Sequence, residues 1–279
     1  MNATTTHPKA DVVSRDQWLA ARVALLAKEK ALTRQRDALA RERQALPWVR
    51  VDTDYVFDTP TGPRSLADLF AGRSQLAVYH FMFGPDWAEG CPSCSYVCDH
   101  LDGAVPHLAA RDTTLVMVSR APLARIQPFK QRMGWQFPWV SSFANSFNHD
   151  FGVYFTPEEQ ATGAVHYNYA TAPFPSAEAP GLSVFYKDPA TGEIFHTYST
   201  YARGLDPLLA TYVVLDSTPK GRDEEALAFG MQWLRHHDKY DAAGPAFADA
   251  DKPYWPDVAG ASSEPASCCG CGPKAGGAS

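Results

Sequence analysis

The sequence predicts an α/β protein with a partly parallel sheet. Three observations predict it. Short apolar runs alternate with amphipathic helical stretches between residues 76 and 141, a long helical pattern precedes them, and an Ala/Gly/Ser/Pro-rich stretch closes the chain. With 279 residues, 45% of them hydrophobic, the chain can bury one substantial core with appendages.

Residues 14–46 read as one helix. Ser14 followed by Gln17 forms a capping-box start, and no Gly or Pro intervenes before Pro47. Trp18, Leu25, Leu32, Leu39 and Leu46 recur at seven-residue spacing, which puts one apolar stripe along the helix. The positions three residues after these anchors (Ala21, Lys28, Gln35, Glu42) are weak core residues. Two expectations follow: the stripe packs on the chain's own body, or it forms a homodimer through this helix. Residues 15–50 carry nine Lys/Arg and four acids, a net +5, so the rest of the −6 chain carries −11. A basic arm beside an acidic body is expected to dock on its own body or on a second subunit. No aromatic residue lies between Trp18 and Trp48, which argues against nucleic acid as its partner.

Tyr55–Phe57 reads as a strand that meets a Pro/Gly turn, after which Ser65 caps a short helical turn. Residues 76–83 (Leu-Ala-Val-Tyr-His-Phe-Met-Phe) form a buried strand, 92–110 a helix, 113–119 a second buried strand, 122–133 a second helix, and 137–141 a third strand. Residues 143–178, rich in aromatics, Asn and Pro, are too long for a simple connection and read as an insertion that covers something. Strands at 181–186 and 193–198 flank an Asp188-Pro189…Gly192 turn, so they pair as a hairpin. Helices are expected at 205–215 and 223–237, and a disordered tail at 246–279. The chain divides accordingly into a polar leader with the basic helix (1–50), an α/β domain (51–245) and the tail (246–279).

The chemistry concentrates at Cys91-Pro92-Ser93-Cys94, between an apolar strand and a helix. Two thiols two residues apart on the first helical turn can close a disulfide, and the helix N-terminus favours thiolate over thiol. Cys91 is the expected nucleophile at the exposed helix end, and Cys94 the more buried resolving thiol. Six cysteines in two clusters, 91/94/98 and 268/269/271, fit local redox or metal chemistry rather than a disulfide framework. Cys91, Cys94 and Cys98 share a helical face and could hold zinc with His80 or His100. Cys98 alone reads as a small buried hydrophobe. The tail cysteines could bind Cu(I) or zinc, exchange with Cys91, or do neither. No dissociable cofactor is required. The polar N-terminus lacks an apolar signal-peptide core and no apolar run reaches a membrane span, so a cytoplasmic location and no membrane partner are expected.

The order of these motifs carries a resemblance. Phe57-Asp58, Ser65-Leu66-x-Asp68-Leu69, Gly72, the Cys-x-x-Cys helix, a βα unit, a proline-preceded strand at Pro180 and the Asp188…Gly192 hairpin resemble the thioredoxin superfamily over Val51–Tyr212, in its peroxiredoxin and thiol-reductase branch. The blocks Phe83-Gly84-Pro85-Asp86-Trp87, Val118-Ser119-Arg120-Ala121-Pro122, Phe137-Pro138-Trp139-Val140 and Tyr201-Ala202-Arg203-Gly204 are similar to a bacterial thioredoxin-like family catalogued as domain of unknown function 899, over about residues 10–240. The resemblance implies a thioredoxin-like three-layer α/β fold with a long N-terminal helix, an insertion before the cis-proline strand and a flexible tail. Pro180 would be the cis-proline facing the dithiol, with Pro173 and Pro175 competing for the role and an ordinary trans turn proline as the alternative, and the Ala179 backbone would pair with an extended substrate. Trp87, Pro92 and Ser93 would complete the substrate wall. The implied partners are a disulfide- or peroxide-containing substrate and a cellular thiol reductant. One departure weighs against a peroxidase: Pro85 stands six residues before Cys91, and Ala88 stands where peroxiredoxins place a threonine. Arg203 loosely resembles the peroxiredoxin arginine, but reads better as a surface residue. Thiol–disulfide oxidoreductase is therefore the leading expectation. A thiol peroxidase, a zinc- or copper-binding protein and a non-catalytic binding scaffold are the alternatives.

Overall fold

Ser14 accepts a hydrogen bond from the Gln17 N–H at 3.3 Å, and the Gln17 side chain accepts from the Ser14 N–H at 3.0 Å. This capping box starts α1, Arg15–Gln44, in which no residue is buried. The structure, a computed structural model, describes residues 10–240. The expected tail and Cys268, Cys269 and Cys271 lie outside the described residues. The described residues form two compact units, divided between Pro47 and Trp48.

In the second unit β1 (Val49–Arg50) is followed by a small hairpin of β2 (Val56–Phe57) and β3 (Arg64–Ser65), and by α2 (Leu66–Leu69). Next come β4 (Gln75–His80), α3 (Pro92–Leu101), α4 (Val105–Ala109), β5 (Thr113–Ser119), α5 (Leu123–Arg132) and β6 (Trp139–Ser141). The remainder comprises α6 (Phe147–Asp150), α7 (Pro157–Ala161), the strands β7 (Val165–Tyr167), β8 (Ala170–Ala172), β9 (Gly181–Lys187) and β10 (Ile194–Tyr201), and α8 (Ala210–Leu215).

Six strands make the main sheet in the order β1-β10-β9-β4-β5-β6. β4, β5 and β6 run parallel, whereas β9 is antiparallel to β4 and β10 to β9. Two parallel strands need a crossover, and α3–α4 and α5 supply it. This is the thioredoxin-like α/β arrangement that the motifs implied. Side chains alternate across β4. Tyr79 and Phe81 join one core with Cys91, Cys94 and Ile126, while Leu76 and Val78 join the other with Phe57, Phe70 and Phe147. Helices therefore cover one face, and the β2–β3 hairpin with α2 and α6 covers the other.

Four expectations change. The 76–83 strand ends at His80, and the 92–110 helix breaks at Asp102–Ala104, next to Gly103 and Pro106. Among the described residues every peptide bond is trans, that of Pro180 included, so the cis-proline expectation is not met. The insertion holds this segment: the Ala179 N–H donates to the Val153 carbonyl at 2.9 Å, and the Tyr167 hydroxyl donates to the Pro180 carbonyl at 2.7 Å. The largest difference is at 223–237, where no helix forms. Asp223 and Met231 take left-handed backbone angles (φ 52° and 68°), and Glu224 captures the Met231 N–H at 3.0 Å, which a helix would have spent internally.

Candidate functional site

Cys91 is the N-cap of α3 and Pro92 is its first residue, a position where the missing N–H costs nothing. The Cys91 N–H donates to the Met82 carbonyl at 3.0 Å, which ties the loop from β4 back to its own start. The Ser95 backbone N–H and hydroxyl both donate to the Cys91 carbonyl at 2.9 Å. The Met82 N–H donates to the Cys94 Sγ at 3.4 Å. Gly90 has to be glycine, because a Cβ there would stand 2.6 Å from the Phe81 ring and 2.8 Å from that of Phe129.

Cys91, Cys94 and Cys98 are in the thiol form, and all three are buried. Cys98 is buried as expected, and burial, aided by the nearby Asp99 and Asp102 carboxylates, pushes its thiol well up. The expectation that Cys91 is exposed is overturned: it is 0% exposed and Cys94 is 1% exposed. Met231 and Leu234, from the segment expected to be helical, join the same core cluster as both cysteines. Among the described residues no three His, Cys, Asp or Glu side chains are grouped to hold a metal, so the zinc reading of Cys91, Cys94 and Cys98 with His80 or His100 finds no site.

The other expected substrate residues separate into two groups. Ser93 opens onto a cleft of about 510 Å³, part of it open solvent, between α3 and the residues that follow β10; Tyr79, Arg203, Arg222 and Met231 also line it. Pro92 is buried beside it. Trp87 is half-buried against the core that holds the cysteines, and its carbonyl accepts from Arg125 at 2.7 Å. Ala179, in contrast, belongs to a separate cluster with Val153, Tyr167 and Tyr201, and its N–H is already paired. The side chain of Arg203 is 66% exposed and pairs with Asp206 at 2.7 Å, in keeping with a surface arginine.

Two polar groups that sequence reasoning did not single out border the site. His236 hydrogen-bonds the Gly90 carbonyl through Nε2 at 2.8 Å, one residue from Cys91. Burial lowers its pKa, so the neutral ring donates from Nε2 and accepts at Nδ1 from Arg132, 3.1 Å away. Arg132 also binds Glu89 at 2.5 Å and Asp238 at 2.7 Å. The opposite face of the sheet holds a buried chain: His80 Nε2 to Ser183 Oγ at 2.9 Å, Ser183 to Ser199 at 2.8 Å, and Ser199 to His196 Nε2 at 2.7 Å. Burial, then the neighbouring His196, lowers the His80 pKa to about 3. At Glu178, burial pushes the carboxyl up to about 7 against the pull of Arg120, 2.7 Å away.

Residues 7–240 match the family model described as bacterial protein of unknown function (DUF899). The chain belongs to this family. Among curated proteins nothing matches the sequence. Among solved structures, peroxidoxin BcpB from Mycobacterium tuberculosis aligns at 17% identity over 60% of this chain and 95% of its own, with a TM-score of 0.39. A variant of peroxiredoxin Q from Xanthomonas campestris aligns at 13% identity over 61% and 98%, with a TM-score of 0.39. A hypothetical protein from Sinorhizobium meliloti 1021 aligns at 12% identity over 53% and 68%, with a TM-score of 0.33. Among the described residues no helix is long and apolar enough to cross a membrane.

Proposed function

We propose that this DUF899 protein is a thiol–disulfide oxidoreductase. The observation that carries the reading is the placement of Cys91 as N-cap of α3, with Cys94 one turn along and Pro92 between them, at the end of the central parallel strand β4. In the proposed cycle the Cys91 thiolate attacks one sulfur of a substrate disulfide, and the other sulfur leaves as a thiolate and takes a proton. The Cys94 thiolate then attacks Cys91 in the mixed disulfide and releases the first substrate sulfur as a thiol. The substrate gains two electrons and Cys91–Cys94 becomes the disulfide. Two equivalents of a cellular thiol, or one dithiol, return it to the reduced state. The proposed setting is the cytoplasm, where such a thiol pool is available.

Trapping tests this. Cys94→Ser should accumulate a mixed disulfide at Cys91 with a disulfide-containing peptide, because the resolving step is blocked, whereas Cys91→Ser should accumulate none. A Cys94→Ser protein that captures no peptide, even after long incubation, would remove the reading. The buried sulfurs set one further requirement: they have to be uncovered for each attack.

We also propose a homodimer through α1. All 30 residues of that helix escape burial within the chain, yet Trp18, Leu25, Leu32 and Leu39 line one stripe. A second copy of the helix is the simplest cover for it.

A further inference from the structure

One irregular segment packs into the core that holds the two cysteines and bonds the carbonyl next to Cys91. Between Asp216 and His236 the described chain contains no helix or strand. This stretch is held by side-chain contacts at two ends. At the first, Glu224 Oε1 accepts three donors: the Tyr212 hydroxyl at 2.6 Å, the Trp233 Nε1–H at 2.7 Å and the Met231 N–H at 3.0 Å. At the second, Arg132 on α5 binds Asp238 through two nitrogens at 2.7 and 3.1 Å, while Glu89 accepts from Arg132 and from Lys239 at 2.6 Å. His236 completes that end through its bond to the Gly90 carbonyl. Between the two ends Leu234, 0% exposed, and Met231 pack into the core cluster that also holds Cys91 and Cys94.

We infer that residues 224–239 form a strap that closes over the dithiol, fastened by Glu224 at one end and by Arg132 with Glu89 and Asp238 at the other, and that substrate reaches Cys91 when the strap lifts. The inference rests on the thiol chemistry proposed above, since only a reacting sulfur needs a gate. The rest of the cover resists opening. β4 is paired on both sides, and α3 is buried along most of its length, whereas the strap has no strand ladder and only isolated single-turn backbone hydrogen bonds, such as Leu227 N–H to Glu224, Leu234 N–H to Met231 and Lys239 N–H to His236. Segments held by few side-chain contacts open at far lower free energy than the sheet around them. Gly230 and Met231 of the strap also form one wall of the cleft onto which Ser93 opens, so lifting it joins that cleft to the thiols.

The test is the rate at which iodoacetamide labels each cysteine in the native full-length protein, read peptide by peptide. A buried thiol reacts at its intrinsic rate multiplied by the fraction of time it is uncovered. Arg132→Gln removes the charged hydrogen bonds to Asp238 and Glu89, so Cys91 labelling should accelerate about tenfold or more, with Cys98 unchanged. Asp238→Asn, at the half-exposed rim, should accelerate it less, and carries the test if Arg132→Gln does not fold. Cys91 labelling within twofold of wild type in the folded variants would overturn the strap. So would a rise at Cys98 in step with Cys91, because that reports opening of the whole core. Labelling reads exposure whether or not Cys91 ever bonds to Cys94, so the strap and the redox reading fail separately.

Discussion

Acid should weaken this fold through His80, and the size of the effect follows from its burial. His80 is fully buried on β4, bonded through Nε2 to Ser183, with no partner at Nδ1, and its pKa falls from 6.5 to about 3. The folded state therefore keeps the ring neutral at pH values where the unfolded chain would protonate it. The contribution is present above pH 6.5 and is lost as pH falls from there towards 3. At pH 5, 1.5 units below the unfolded value, the loss is about 2 kcal/mol at 1.36 kcal/mol per unit. Glu178 works in the opposite direction: its raised carboxyl pKa adds stability as pH falls from about 7 towards 4.5. Comparing wild type with His80→Gln cancels that term, since both proteins retain Glu178. Urea unfolding of the two proteins at pH 7.5 and pH 5.0 is the assay. The stability advantage of wild type should shrink by about 2 kcal/mol at the lower pH. Two stability curves that stay parallel across this range would refute the claim that His80 is held neutral by burial.

Removing one partner of the buried Arg120–Glu178 pair should be far worse than removing both. Arg120→Met should cost about 3 kcal/mol or more in chemical denaturation, because it strands a carboxyl among apolar groups, and the added Glu178→Gln should recover most of that loss. Equal losses in the single and double variants would show that the pair carries no coupling. For α1, Leu25→Glu with Leu32→Glu should convert a dimer to a monomer in analytical ultracentrifugation while leaving the far-UV helical signal of the second unit in place. A monomeric wild-type protein at tens of micromolar would contradict the helix-mediated dimer.

Much of the fold was legible because its signals are local. Ser14 and Gln17 announce α1, Ser65 and Asp68 cap α2 reciprocally, and the apolar runs of β4 and β5 have the length and continuity of strands buried on both faces. The Cys91–Cys94 placement was legible for the same reason: a strand, a turn and a helix start are all short-range. The strap was not. Residues 223–237 have helical composition, but Glu224 spends its carboxylate on Tyr212, Trp233 and the Met231 N–H, and that tertiary competition is invisible in the segment itself. His236 could not be singled out either, because its partner Gly90 lies 146 residues away in sequence. The insertion was expected from its length and composition, but its partner was not legible. Its Val153 and Tyr167 bond the backbone of Ala179 and Pro180, and none of its residues joins the cluster that holds the sulfurs.

The most direct measurement is the state of the six thiols after equilibration of the full-length protein with oxidised glutathione, followed by denaturing alkylation and peptide mass analysis. A working dithiol predicts a single Cys91–Cys94 disulfide within the 91/94/98 group, reversed by excess reduced glutathione, with Cys98 fully alkylated. Cys94 remaining fully alkylatable while Cys91 carries a stable glutathione adduct or an oxidised sulfur would contradict it.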